Sequence, residues 1–166
     1  MSDYKVIDGT FINQGIGERS TTKKEQLGRT VRARDMASTG YGDGEFIYLT
    51  GVASTVVGSV VTFEEGTYVT ALTVANAKGR IGVAMSASVA SEYGWYQIRG
   101  RAVCEVLASC TADKVLYLTA TAGELDDAVV VGDEVYTSYS LTAIATPAAG
   151  QAEVSICYPF VTDASN

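Results

Sequence analysis

Between Gly44 and Arg101 the chain reads GEFIYLTGVASTVVGSVVTFEEGTYVTALTVANAKGRIGVAMSASVASEYGWYQIRGR. Short β-branched and aromatic runs alternate with Gly, Ser, Asn and Glu-Glu-Gly breaks, and no amphipathic period of helical length interrupts them. This pattern specifies short antiparallel strands joined by tight turns. Phe46 and Tyr48 point to one side of their strand and Ile47 and Leu49 to the other, so both faces need cover. Val56 to Phe63, Tyr68 to Val74 and Ile81 to Ala87 also read as strands. Glu64-Glu65-Gly66 and Asn76-Ala-Lys-Gly79 are the turns between them. Trp95 to Arg99 alternates, with Trp95, Gln97 and Arg99 opposite Tyr96 and Ile98, and Val103 to Leu107 continues it after a bend at Gly100.

Beyond Cys110 the same grammar returns in weaker form. Lys114 to Thr119 answers Ser59 to Phe63, Gly123-Glu124 answers Glu65-Gly66, Thr142 to Thr146 answers Gly82 to Met85, and Gln151 to Ile156 answers Trp95 to Ile98. A weak internal pseudo-repeat, about 55–107 and 110–160, accounts for this, and so does a shared strand–turn habit. Either way the expected fold class is all-β. The expectation is a compact small β-barrel or sandwich body of short antiparallel strands over residues 41–166.

Residues 1–40 read differently. The first eighteen are punctuated by glycine and carry two small apolar pairs, Val6-Ile7 and Phe11-Ile12. Residues 19–36 are polar and basic, and Gly28 with β-branched Thr30-Val31 argues against a long helix. Gly40, Gly42 and Gly44 make the stretch from Ser38 to Glu45 a flexible junction. The expectation is an extended N-terminal arm over 1–40, whose removal up to residue 36 leaves the body folded. Charge sharpens the division. Arg19, Lys23, Lys24, Arg29, Arg32 and Arg34 face Glu25 alone, whereas from Glu45 onward thirteen acidic residues outweigh five basic ones. A basic segment on an acidic body is expected to meet an acidic protein surface, and the body repels nucleic acid.

The search for chemistry returns little. The chain has no histidine, which removes Ser-His-Asp and Cys-His catalysis and the usual zinc ligand. Cys104, Cys110 and Cys157 lie in or beside apolar strand-like segments and are expected to be buried, reduced thiols. Gly15-Ile-Gly17 lacks the third glycine and the strand–helix setting of a dinucleotide site. The adjacent carboxylates Glu64-Glu65, Asp126-Asp127 and Asp133-Glu134 point apart, so no pair spans a cleft as a glycosidase requires. Asp126-Asp127 with Asp133-Glu134 does not make a calcium loop, because the intervening Ala-Val-Val-Val-Gly132 reads as a strand. The chain is expected not to be an enzyme and to need no cofactor or metal. No run approaches the length of a membrane helix, and the start Met-Ser-Asp-Tyr-Lys has no apolar leader core, so no membrane association and cytoplasmic synthesis are expected.

Tyr41-Gly-Asp-Gly-Glu-Phe-Ile-Tyr-Leu-Thr-Gly-Val-Ala-Ser-Thr55, Asn76-Ala-Lys-Gly79, Val83-Ala-Met85 and Tyr93-Gly-Trp-Tyr-Gln-Ile-Arg-Gly100 together resemble the capsid decoration, or cement, proteins of tailed bacteriophages. The resemblance is firmest over Tyr41–Arg101 and looser over Ala102–Phe160, and its motifs are structural. It implies a virion protein on the outer capsid surface, commonly a homotrimer, that clamps neighbouring major capsid subunits and stabilises the DNA-filled head. On that reading Phe11, Ile12, Arg19, Lys23, Lys24, Arg29, Arg32 and Arg34 form the capsid-binding arm. Phe46, Tyr48, Trp95 and Tyr96 are candidate protomer contacts. The alternative is a head-fibre-like receptor or glycan-binding module in which Tyr93, Trp95 and Tyr96 form a stacking platform.

Overall fold

The computed structural model describes residues 3–37 and 40–163. Ser38 and Thr39, at the start of the expected junction, lie outside them. Twelve strands follow in chain order: β1 (Tyr4–Val6), β2 (Arg19–Ser20), β3 (Thr30–Asp35), β4 (Asp43–Thr50), β5 (Val60–Phe63), β6 (Thr70–Leu72), β7 (Gly79–Ala84), β8 (Tyr93–Glu105), β9 (Val115–Leu118), β10 (Leu125–Asp126), β11 (Glu134–Ser140) and β12 (Gln151–Val161). The all-β expectation holds: the described residues contain no helix, and every strand pairing is antiparallel. The strands make one sheet whose path runs β1-β3-β4-β8-β7-β12-β11-β9-β10, with β5 and β6 continuing from β7 and β2 beside β8. The two ends of the path do not meet, so the sheet is not a closed barrel.

β8 holds the sheet together. Its first half pairs with β4 from Thr50↔Tyr93 to Glu45↔Arg99, and its second half pairs with β12 from Cys157↔Arg99 to Gln151↔Glu105. The change of partner falls at Gly100, whose φ of +107° and the approach of the Asp43 carbonyl, 2.5 Å from where a Cβ would stand, admit no side chain. A register shift between Glu45 and Phe46 places the extra residue, Ile98, in β8 just before this bend. The segments from Trp95 to Arg99 and Val103 to Glu105 are therefore parts of one bent strand, which ends two residues short of Leu107.

Three apolar clusters fill the folded sheet. Val60, Ile81, Val83, Cys104, Leu116, Leu118, Val154 and Ile156 belong to the largest, enclosed by β5, β7 and β8–β12. Ile47, Leu49, Val61, Phe63, Tyr96 and Ile98 form the second, under the β5–β6 hairpin. Phe46, Tyr48 and Trp95 form the third on the other face of β4 and β8, with Val31, Ala33 and Ile16 packed on them.

That third cluster overturns the reading of residues 1–40 as a separate arm. β3 is hydrogen-bonded to β4 over Thr30↔Ile47 through Arg34↔Asp43, and β1 to β3 over Tyr4↔Asp35 through Val6↔Ala33. Thr-Val-Arg-Ala-Arg-Asp is a period-2 strand, exposed and buried in turn, with arginines on its wet face. The intervening segment crosses the third cluster and is tied down by Gln14, only 1% exposed. The Trp95 indole Nε1 donates to the Gln14 carbonyl at 2.9 Å, the Tyr48 hydroxyl donates to Gln14 Oε1 at 2.7 Å, and Gln14 Nε2 donates to the carbonyls of Glu18 and Tyr93, each at 2.9 Å. The glycine-rich stretch before β4 joins two strands of one sheet and is not a domain boundary.

Two further strand readings fail beyond residue 125. Ala128 to Gly132 is a turn with Val129 and Val131 exposed, and Thr142 to Thr146 is irregular. β-branched and small apolar residues alone do not make a strand where no alternating pattern supports them.

Deleting residues 1–36 is expected to unfold the chain or lower its stability by at least roughly 5 kcal/mol, since Ile16 and Val31 are lost and Phe46 and Trp95 are uncovered. Gln14→Leu, which strips acceptor and donors from Tyr48, Tyr93 and Glu18, is expected to cost roughly 2–4 kcal/mol. Urea unfolding followed by Trp95 fluorescence measures both. A truncated chain with an unchanged midpoint contradicts this view of the fold.

Candidate binding face

The strand pairings put a row of charges on one face of β1, β3, β4 and β8. Register partners Arg34↔Asp43 and Arg32↔Glu45↔Arg99 lie side by side across three strands. Arg34 Nε reaches Asp43 Oδ1 at 2.5 Å, Arg99 Nη1 reaches Glu45 Oε1 at 3.1 Å, and Arg32 Nε approaches the same oxygen at 3.9 Å. The Tyr158 hydroxyl also donates to Glu45. Lys5, the neighbour of Arg34 on β1, pairs with Asp3 at 2.9 Å. Three guanidiniums thus share two carboxylates. The Glu45 side chain is largely covered, while those of Arg32, Arg34 and Arg99 stay about half exposed. The hydrogen bond and charge of Arg34 hold Asp43 below its usual range, and Asp43 in turn raises Arg34. Exposed ion pairs of this kind add little to stability. Their geometry instead leaves the outer edges of planar, permanently charged forks free to meet carboxylates of a partner.

Of the residues expected to bind through an arm, the fold brings together Arg32 and Arg34, and adds Arg99 and Lys5 from elsewhere. The others are dispersed. Arg19 on β2 pairs with Glu92 at 2.9 Å. Arg29 is spent inside the fold, bound to the buried Glu25 and donating to the Phe11 carbonyl at 2.7 Å. Lys23 and Lys24 are exposed, but the Lys24 amide donates to the Tyr48 hydroxyl, so their loop covers the opposite face of the sheet. Phe11 is 79% exposed, whereas Ile12 packs on the third cluster.

Phe46, Tyr48, Trp95 and Tyr96 are all 2% exposed or less. They are core residues of one chain and offer nothing to a second protomer or to a sugar. Tyr48 and Trp95 pack edge-to-face with ring centres 5.1 Å apart, and the cover that both faces of β4 required comes from residues 12–31 on one side and the β5–β6 hairpin on the other. With Trp95 and Tyr96 inside, the expected stacking platform does not exist.

The cysteines divide. Cys104 and Cys110 are buried, as expected, but Cys157 on β12 is exposed. Burial pushes the Cys104 thiol far above its ordinary value. Burial, with the charges of Asp127 and Asp126, raises Cys110 to about 11. Cys110, Asp126 and Asp127 bring potential ligand atoms within 4.8 Å of one another. The Cys110 thiol stays protonated at neutral pH, and Asp127 is occupied by the Thr111 amide at 3.2 Å and hydroxyl.

One buried carboxylate fixes the edge of the arginine face. Burial opposes charge on Asp35, but backbone amides of Asp3, Tyr41 and Ala37 donate to it at 2.7, 3.1 and 3.1 Å, and its pKa is lowered on balance. It joins the start of β1 to the link between β3 and β4.

Compared with protein-family models, curated proteins and solved structures, the chain matches none.

A thiol reagent is expected to label Cys157 rapidly in the native protein and Cys104 and Cys110 only on unfolding. Peptide mapping after brief and denaturing treatment checks this, and equal labelling of all three contradicts it. A depressed folded pKa at Asp35 contributes stability that is full above the unfolded Asp value of about 3.9 and is lost as pH falls through the folded value. Asp35→Asn is therefore expected to be less stable than wild type at pH 7 and to lose less on acidification below about pH 4. Thermal midpoints across that window measure the difference.

Proposed function

We propose that this chain is a structural virion protein, not an enzyme, that decorates the outer surface of a tailed-bacteriophage capsid. It cements neighbouring copies of the major capsid protein and works as a homotrimer. The family resemblance over Tyr41–Arg101 supplies the class. The observation that carries the mode of binding is the row of half-exposed guanidiniums of Arg32, Arg34 and Arg99 on one sheet face. The binding element is a rigid face and not an arm that orders on contact, so little conformational entropy is lost on docking.

Each contact on such a face is weak and screened by salt. Firm attachment then comes from number: three copies of the face in a trimer engage repeated acidic sites on the shell, and the second and third contacts form at high effective concentration. The same multiplicity ties adjacent capsid subunits to one another, which is the mechanical task of a cement.

The experiment is reconstitution on capsids stripped of decoration. Arg32→Gln combined with Arg34→Gln is expected to leave the fold intact and lower occupancy at least tenfold at moderate salt, about 1.4 kcal/mol for each factor of ten. Wild-type occupancy is expected to fall as salt rises. Full occupancy by the double variant, or no association of the wild-type protein with any such shell, overturns the proposal. Mass measurement in solution reads the trimer separately.

A further inference from the structure

Beside the arginine row, where β3, β4, the β5–β6 hairpin, β7 and β12 converge, the surface opens into a cleft of about 520 Å³. Phe63 and Ile98 are among its apolar lining, Tyr68 and Tyr158 contribute aromatic walls, and Glu65 and Arg80 supply its charges. A second depression, lined also by Glu64 and Lys78, shares Phe63, Glu65 and Arg80, so the two adjoin and make an elongated site with the Glu65–Arg80 pair at the divide.

Several features distinguish this groove from an ordinary crease. Tyr68 and Tyr158 both hold φ in the left-handed region, at 55° and 51°, which a bulky residue adopts only where the surrounding structure requires it. Tyr68 is seated against Gly28, where an added Cβ would run into its ring. The Tyr158 hydroxyl is anchored on Glu45. Glu65 Oε1 and Arg80 Nε lie 3.2 Å apart, so the divide presents donors and acceptors together with no net charge.

A charged ligand at the divide would bind one partner and leave the other unmatched. A ligand with hydroxyls can donate to Glu65 and accept from Arg80 while the pair persists. Apolar floor and tyrosine walls suit the C–H face of a ring, and an elongated groove suits a chain of rings. From this combination we infer that the groove binds a neutral oligosaccharide. The inference does not depend on capsid attachment, and it places glycan recognition at Tyr68, Arg80 and Tyr158, away from the buried Trp95 and Tyr96.

The full-length protein, labelled with ¹⁵N, would be titrated separately with cellohexaose, maltohexaose and chitohexaose. At least one is expected to shift, saturably, the backbone amides of Tyr68, Arg80 and Tyr158. Tyr158→Ala, at a half-exposed position, is expected to weaken that binding roughly tenfold by removing a stacking wall. Arg80→Gln provides an independent variant that leaves both walls in place and is also expected to weaken it severalfold. No shift with any of the three sugars overturns the inference. So do shifts confined to other surfaces, or wild-type affinity in folded forms of both variants. Capsid occupancy of Arg80→Gln, whose charge pairs with Glu65 and not with the arginine row, is expected to be unchanged and separates this site from the arginine face.

Discussion

Nearly everything in this molecule depends on how the large aromatic residues of β4 and β8 are covered. Phe46, Tyr48 and Trp95 project from one face of the central strands, and two of them carry polar groups that need partners once water is removed. Residues 12–31 meet both needs. Ile16 and Val31 supply apolar cover, while Gln14 uses its carbonyl, its amide oxygen and its amide nitrogen to satisfy Trp95, Tyr48 and two backbone carbonyls. Among the described residues no buried side-chain nitrogen or oxygen lacks a partner. The N-terminal segment is thus one wall of the core. The arginine face exists because β3, held in place by Val31 and Ala33 on its inner side, must carry Arg32 and Arg34 on its outer one.

This arrangement reconciles a strongly acidic chain with a cationic surface. Total charge says little about a face when strand pairing sorts residues by parity. Three guanidiniums stand against two carboxylates, Glu45 and Asp43, whose side chains are less exposed than those of the arginines they orient. The proposed capsid contact and the proposed glycan groove then occupy neighbouring parts of one surface, joined through Glu45, which receives Arg99 on one side and Tyr158 on the other.

Much of the fold was legible in the sequence, and the failures have physical reasons. The strands between Gly44 and Arg101 announced themselves through β-branched and aromatic runs separated by turns. The Glu64-Glu65-Gly66 hairpin and the bend at Gly100 were visible for the same reason. β3 was missed because charge masked a period-2 pattern: in Thr-Val-Arg-Ala-Arg-Asp the buried positions are small and the exposed ones basic. Gln14 gave no signal, since a lone glutamine in a glycine-rich stretch reads as solvated loop. The aromatic residues assigned to a partner surface were sought by the right criterion, apolar area on both sides of a strand, but the cover came from within the chain. Arg99 could have joined Arg32 and Arg34 only through knowledge of the β3–β4–β8 register, and Tyr158 only through the irregular passage of β12.

β12 has a consequence for how the protein comes into being. It is the last strand of the sheet, yet it lies in the interior of the strand order, with β7 and β8 on one side and β11 on the other. A nascent chain that has not yet released β12 holds β8 with half of one edge unpaired. Its largest apolar cluster still lacks Ala152, Val154 and Ile156. Local hairpins can form first, but the cluster cannot close until β12 has emerged, and the pairing that completes it spans distant parts of the chain. Closure of the core therefore waits on β12. A ribosome that stalls late would present an open strand edge beside exposed core.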